Sequence, residues 1–67
     1  MKIAQLVREE RKKRKWSQVT LAFKAGVGLR FIRELEQGKK TLRLDKVNQV
    51  LHFLGYEAGP VKLESQL

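Results

Sequence analysis

Apolar positions along the chain recur at helical rather than strand spacing. Ile3, Leu6 and Val7, followed by Glu10 to Arg14, read as an amphipathic helix of about three turns with a basic outer face, ending near Lys15. Ser17 has the side chain of an N-cap and Gly26 stands where a left-handed residue closes a helix, so Gln18 to Ala25 is predicted as a second, short helix. Val27 then separates Gly26 from Gly28. Leu29 to Glu36 carries Ile32 and Leu35 three positions apart before Gly38 stops it, which predicts a third helix. Two short helices joined by a tight glycine-containing turn form a helix-turn-helix, whose second helix is presented outward for a major groove.

Beyond a basic loop, Lys39-Lys40-Thr41, the residues Leu44, Val47, Val50, Leu51 and Leu54 repeat as one face of a fourth helix, with Asp45 in its first turn and Gly55 after its end. Tyr56 to Leu63 alternates only in part, and Gly59-Pro60 restricts any strand there to an edge or a bulge. The expected division is therefore a helix-turn-helix domain over 1–55 and a C-terminal tail over 56–67, which could pair with a second tail as an intersubunit β-strand.

Size sharpens that expectation. A chain of 67 residues buries only about 60% of its unfolded surface, and with no cysteine and no cluster of metal ligands the usual staples of a small fold are missing. Dimerisation is the expected extra source of buried area. No cofactor or metal is expected, no run approaches the roughly 18 apolar residues of a membrane span, and no apolar signal core follows Met1-Lys2-Ile3. The expected location is the cytoplasm, on the nucleoid when bound to DNA.

The net charge is +8, and its placement matters more than its size: residues 1–40 hold twelve Lys/Arg against four Glu, whereas residues 41–67 hold three against three. A field of one sign on one part of a fold is a footprint for a polyanion such as nucleic acid. The run Arg11-Lys12-Lys13-Arg14-Lys15 has a second reading, a solvated helix end whose cations suit the macrodipole.

Ser17-Gln18, Leu21-Ala22, Ala25-Gly26-Val27 and Leu35-Glu36-Gln37-Gly38-Lys39 resemble the core pattern of the lambda Cro/cI-type (XRE) helix-turn-helix family, over residues 3–55. Within it, Gly28 to Lys39 followed by Leu44-Asp45-Lys46-Val47 looks most like the HipB-like antitoxin branch. The resemblance implies an all-α fold, a small four-helix domain of the lambda-repressor-like type. It implies that Gln18 sends its amide to a phosphate or base edge, that Lys39 and Lys40 make orienting phosphate contacts, and that Arg11 pairs with Glu36 to hold the unit rigid. Arg30 and Arg33 lie on the third helix away from Ile32 and Leu35, so their guanidinium forks can reach guanine O6/N7 or adjacent phosphates. Gly28 permits close backbone approach, and Leu29 either touches a thymine methyl or serves the core.

The remaining residues bound the reading. Trp16 reads as a lid over the corner between the first two helices, because one isolated aromatic is not a stacking platform. Val19 and Phe23, four apart, read as packing against the first helix in preference to a protein-binding patch, and Phe31 stays open between core and interface. His52 has no second ligand. No nucleophile–base pair or carboxylate dyad emerges, so catalysis is not expected.

The expected function is thus a sequence-specific, dimeric transcriptional repressor on double-stranded operator DNA. Its dimer contacts would come from the neutral part: Val50, Phe53, Leu54, Tyr56, Val61 and Leu63. The HipB-like resemblance implies in addition the restraint of a HipA-like serine/threonine kinase toxin encoded in the same operon. Two alternatives stand beside it: a stand-alone phage-type or regulatory repressor, and a sequence-indifferent basic protein on RNA or the nucleoid.

Overall fold

The computed structural model describes residues 3–56 as α1 (Ile3–Lys13), α2 (Gln18–Ala25), α3 (Leu29–Glu36) and α4 (Leu44–Phe53), with no strand among the described residues. The all-α, four-helix expectation holds. The proposed tail strand, with Val61 and Leu63, lies outside the described residues.

Local chemistry sets the helix ends. Ser17 adopts extended backbone angles and its Oγ accepts the Thr20 N–H at 3.0 Å, which starts α2 where the sequence placed it. Each helix ends in the same way, with a left-handed residue at Lys15, Gly26, Gly38 or Gly55 and paired backbone bonds that reach back into the last turn. At the end of α3, for example, Gly38 N–H donates to the Leu35 carbonyl at 3.1 Å and Lys39 N–H to the Glu34 carbonyl at 3.1 Å. Gly26 is the tightest of these positions: φ is +79°, and a Cβ there would stand 3.0 Å from Gln49 Nε2. That same amide donates to the carbonyls of Ala25, at 2.8 Å, and Gly26, at 3.2 Å, so α4 is bonded to the turn of the helix-turn-helix.

The core is one cluster to which every helix contributes: Val7 from α1, Leu21, Ala22 and Ala25 from α2, Ile32 and Leu35 from α3, and Val47, Val50 and Leu51 from α4, continued by Leu54. Both α1 and α2 pack on α3, and the small side chains of Ala22 and Ala25 let helices approach closely. The buried side of α3 faces this cluster, so its opposite side is left to solvent.

Four sequence expectations change here. The outer face of α1 is not uniformly basic: Glu10 is buried, Arg11 is drawn inward onto Glu36 of α3, and Arg14 folds back onto Glu10 four residues earlier. Val19 and Phe23 do not pack on α1; α2 points Leu21, Ala22 and Ala25 inward, and Phe23 is left 87% exposed. Leu44, counted with the apolar face of α4, is 68% exposed at its first turn, and the buried stripe begins at Val47. Val50 and Leu54 are buried in the protomer's own core, so neither is free for a dimer contact.

Tyr56 also packs against that core, while Phe53 keeps an exposed edge. Trp16 is a lid that reaches further than the corner between α1 and α2. Its ring lies 5.9 Å from that of Phe53 on α4, with Arg14 and Lys24 over it at 5.5 and 5.3 Å. Leu29 and Phe31 are both half-buried against the core, and His52 is exposed, with no metal-ligand cluster among the described residues.

Candidate nucleic-acid interface

The outer side of α3 is built by the inner one. Ile32 and Leu35 anchor the helix in the core, and Glu36 is 4% exposed beneath its C-terminal end. That leaves Arg30, with 91% of its side chain exposed, and Arg33 projecting into solvent. Gly28 precedes the helix in an extended conformation, makes no side-chain cap, and has open space where a Cβ would stand. A larger residue would therefore fit the isolated protein, and the bare backbone leaves room for an external surface to come close.

Glu36 is the hub behind this face. Arg11 grips it with two hydrogen bonds, Nε to Oε2 at 2.7 Å and Nη2 to Oε1 at 2.9 Å, while Arg11 Nη1 donates to the Trp16 carbonyl at 3.0 Å. Gln18 Nε2 donates to Glu36 Oε1 at 3.1 Å, and Arg8 Nη2 donates to the Glu36 backbone carbonyl at 2.7 Å. Burial alone would raise the Glu36 carboxyl. The hydrogen bonds from Arg11 and Gln18, with the attraction of the Arg11 and Arg8 charges, outweigh it and hold the carboxyl below its usual range, so Glu36 is ionised. In return Glu36 raises the Arg11 guanidinium further, against the opposing effect of burial.

Gln18 is thereby oriented as well as placed. One amide N–H is committed to Glu36, and the amide can offer its other N–H to a phosphate at the first turn of α2. The structure thus brings Arg11, Gln18 and Glu36 together at one end of α3. Lys39 and Lys40 are exposed in the loop that follows α3; Lys39 reaches Glu34, whereas Lys40 and Arg33 have no ion-pair partner among the described residues. Leu29 divides its surface between the core and solvent.

Sequence reasoning missed two members of this constellation. Arg8 sits three residues before Arg11 on α1, a spacing that puts both on one side of a helix, and this was the available signal. Glu34 stands four residues after Arg30, and its Oε2 accepts from Arg30 Nε at 3.3 Å and Lys39 Nζ at 3.3 Å.

Comparison with known proteins agrees with this geometry. The family model described as helix-turn-helix matches residues 7–60, a span that runs from Val7 of α1 past the end of α4. An uncharacterized HTH-type transcriptional regulator, y4mF, of Sinorhizobium fredii (strain NBRC 101917 / NGR234) is 55% identical over 53 residues, which make up 79% of this chain and 70% of that protein. No solved structure matches the chain.

Proposed function

Since the chain belongs to the helix-turn-helix family and is a DNA-binding regulator rather than an enzyme, we propose that it is a sequence-specific transcriptional repressor acting as a homodimer. Two α3 helices enter successive major grooves about 34 Å apart on a pseudo-palindromic operator in the bacterial nucleoid, and promoter occlusion gives repression. The observation that carries this reading is the two-sidedness of α3, where Ile32, Leu35 and Glu36 are buried while Arg30 and Arg33 face solvent. Arg30 and Arg33 read guanine edges, Gln18, Lys39 and Lys40 fix the duplex through phosphates, and Gly28 and Leu29 lie closest to the groove floor. Arg11 and Glu36 hold the unit rigid.

Footprinting of the protein on the DNA upstream of its own gene tests the reading. Arg30→Ala relaxes preference at one operator position at a cost of about 1–3 kcal/mol, whereas Lys40→Ala weakens all duplexes alike and shallows the salt slope by about one. Equal weakening of every duplex by both changes would refute the division of roles, and equal affinity for operator and random duplex would favour a sequence-indifferent basic protein.

A second reading adds a protein partner. In it the chain is the antitoxin of a HipA-like serine/threonine kinase toxin and represses their shared operon. Its support is the HipB-like motif and the exposed pair Val19 and Phe23 on α2, an apolar patch that the protomer's own core leaves uncovered. Co-purification with a kinase from a neighbouring reading frame, lost in Phe23→Ala, is the expected result. An isolated gene with no such partner points to a stand-alone repressor.

A further inference from the structure

We propose that Glu34 is a specificity-determining positioning residue of the DNA-binding face, which turns Arg30 end-on to the groove and competes with phosphate for Arg30 and Lys39. This inference rests on the reading of α3 as the recognition helix. Glu36, the other acid of α3, is consumed inside the domain by Arg11 and Gln18, so Glu34 is the carboxylate that stands among the outward cations of this helix and its following loop. One oxygen serves both neighbours: Oε2 accepts from Arg30 Nε and from Lys39 Nζ, each at 3.3 Å. The Lys39 backbone N–H also donates to the Glu34 carbonyl at 3.1 Å, so the start of the loop is fixed to this residue twice.

The chemistry of the guanidinium gives this arrangement a consequence. With Nε on Glu34, Arg30 keeps Nη1 and Nη2 free, an end-on pair of donors whose spacing matches guanine O6 and N7. Binding to a guanine edge therefore leaves the Glu34 pair intact. A phosphate is different. It draws Lys39, and Arg30 by any edge, away from Glu34 and brings a second anion toward the carboxylate. At 3.3 Å both contacts are longer than the roughly 2.7–2.9 Å of a tight charge-assisted bond, so they can be exchanged for phosphate, at a penalty that falls mainly on generic backbone binding. Glu34 thus lowers affinity for any duplex while it preserves affinity for one that offers guanine in the right place.

The test uses the full chain, a library of randomised duplexes, and the duplex that the wild-type protein enriches from it. Dissociation constants for the enriched duplex and for a random-sequence duplex are measured over a series of salt concentrations. Glu34→Gln should tighten random-duplex binding by roughly twofold to fivefold, the scale of one exposed charge interaction, and steepen the salt slope by about one. The enriched duplex should gain less, so the ratio between the two shrinks. Glu34→Asp keeps the charge but shortens the reach to Arg30; it should hold random binding near the wild-type level while the guanine preference relaxes. A ratio unchanged within twofold in both variants, or equal weakening of both duplexes, overturns the proposal. Failure of the wild type to enrich any sequence instead overturns the functional reading, and this inference falls with it.

Discussion

Two buried glutamates, Glu36 at the end of α3 and Glu10 within α1, each meet an arginine from the first stretch of the chain, Arg11 of α1 and Arg14 just past its end, yet they are built differently. Glu36 is surrounded by distant partners: Arg11, two helices earlier, grips it with both Nε and Nη2, and Gln18 adds a third hydrogen bond. Glu10 is served mostly by its neighbours in sequence, with Arg14 Nη1 at 2.7 Å from just past the end of α1 and Lys13 Nζ at 3.1 Å, and by one far contact, Tyr56 Oη donating at 2.7 Å. The first cluster joins α1, α2 and α3 behind the outward face of α3. The second straps the chain after α4 back onto α1, where Arg14 Nη2 also reaches the Leu54 carbonyl. Removal of Glu36 strands a buried cation, whereas removal of Glu10 releases Arg14 and Lys13, which water already reaches.

The largest expected effect follows from that difference. With Arg11 only 12% exposed and Glu36 4%, Glu36→Ala should cost about 3–5 kcal/mol, the range for a buried pair that has lost one partner. A domain of 67 residues has roughly 3–10 kcal/mol in all, at about 0.05–0.15 kcal/mol per residue, so the loss takes at least about a third of the total. Urea unfolding followed by circular dichroism measures it, with Glu10→Ala beside it as the smaller loss. If the two variants lose the same stability, the contrast between the clusters is wrong.

A smaller effect lies on the acid side. Tyr56, then Arg14 and Lys13, lower the Glu10 carboxyl from 4.5 to about 2. A depressed carboxyl contributes stability that is fully present above its unfolded value, here about pH 4.5, and lost as pH falls through its folded value near 2. Glu36 acts in the same direction. Tyr56→Phe removes the largest cause of the Glu10 shift while it leaves the Glu36 cluster untouched. The midpoint of acid unfolding should therefore move to higher pH, with a neutral-pH loss below that of Glu36→Ala and DNA affinity unchanged. An unmoved acid midpoint in a pH series by circular dichroism would show that the tyrosine does not control Glu10.

What could be read from the sequence was what short-range chemistry decides. Ser17, Gly26, Gly38 and Gly55 mark helix ends because a cap depends on residues a few positions away, and α2 and α3 fell where those residues put them. The outward pair Arg30 and Arg33 was legible from the spacing of Ile32 and Leu35 on the same helix. The burial of Glu10 was not, because Tyr56, which donates to it, stands 46 positions away, and Arg14 follows Glu10 inward and reaches the Leu54 carbonyl, 40 positions on. Val50 and Leu54 looked as available to a second copy as to the protomer, since an apolar stripe does not say which surface covers it. Phe23 failed for a related reason: its neighbours Ala22 and Ala25 already fill the contact to the core, which leaves a large ring with nowhere to go but solvent.

Lys15 offers the finest test of the comparison. It is the one non-glycine residue with positive φ among the described residues, at +59°, and it closes α1 with Lys15 N–H on the Lys12 carbonyl at 2.9 Å and Trp16 N–H on the Arg11 carbonyl at 3.2 Å. That turn sets the Trp16 carbonyl where Arg11 Nη1 reaches it, so it belongs to the Glu36 side of the molecule. A left-handed conformation costs an L-residue about 1–2 kcal/mol, and Lys15→Gly relieves it. Greater freedom of glycine in the unfolded chain takes back about 0.4–1 kcal/mol, so a net gain of up to about 1.5 kcal/mol is expected. Because Lys15 and Tyr56 serve different clusters, the gain should add to the loss in Tyr56→Phe within about 0.5 kcal/mol. A larger departure in the double variant, measured by urea unfolding, would mean that the two carboxylate clusters act as one.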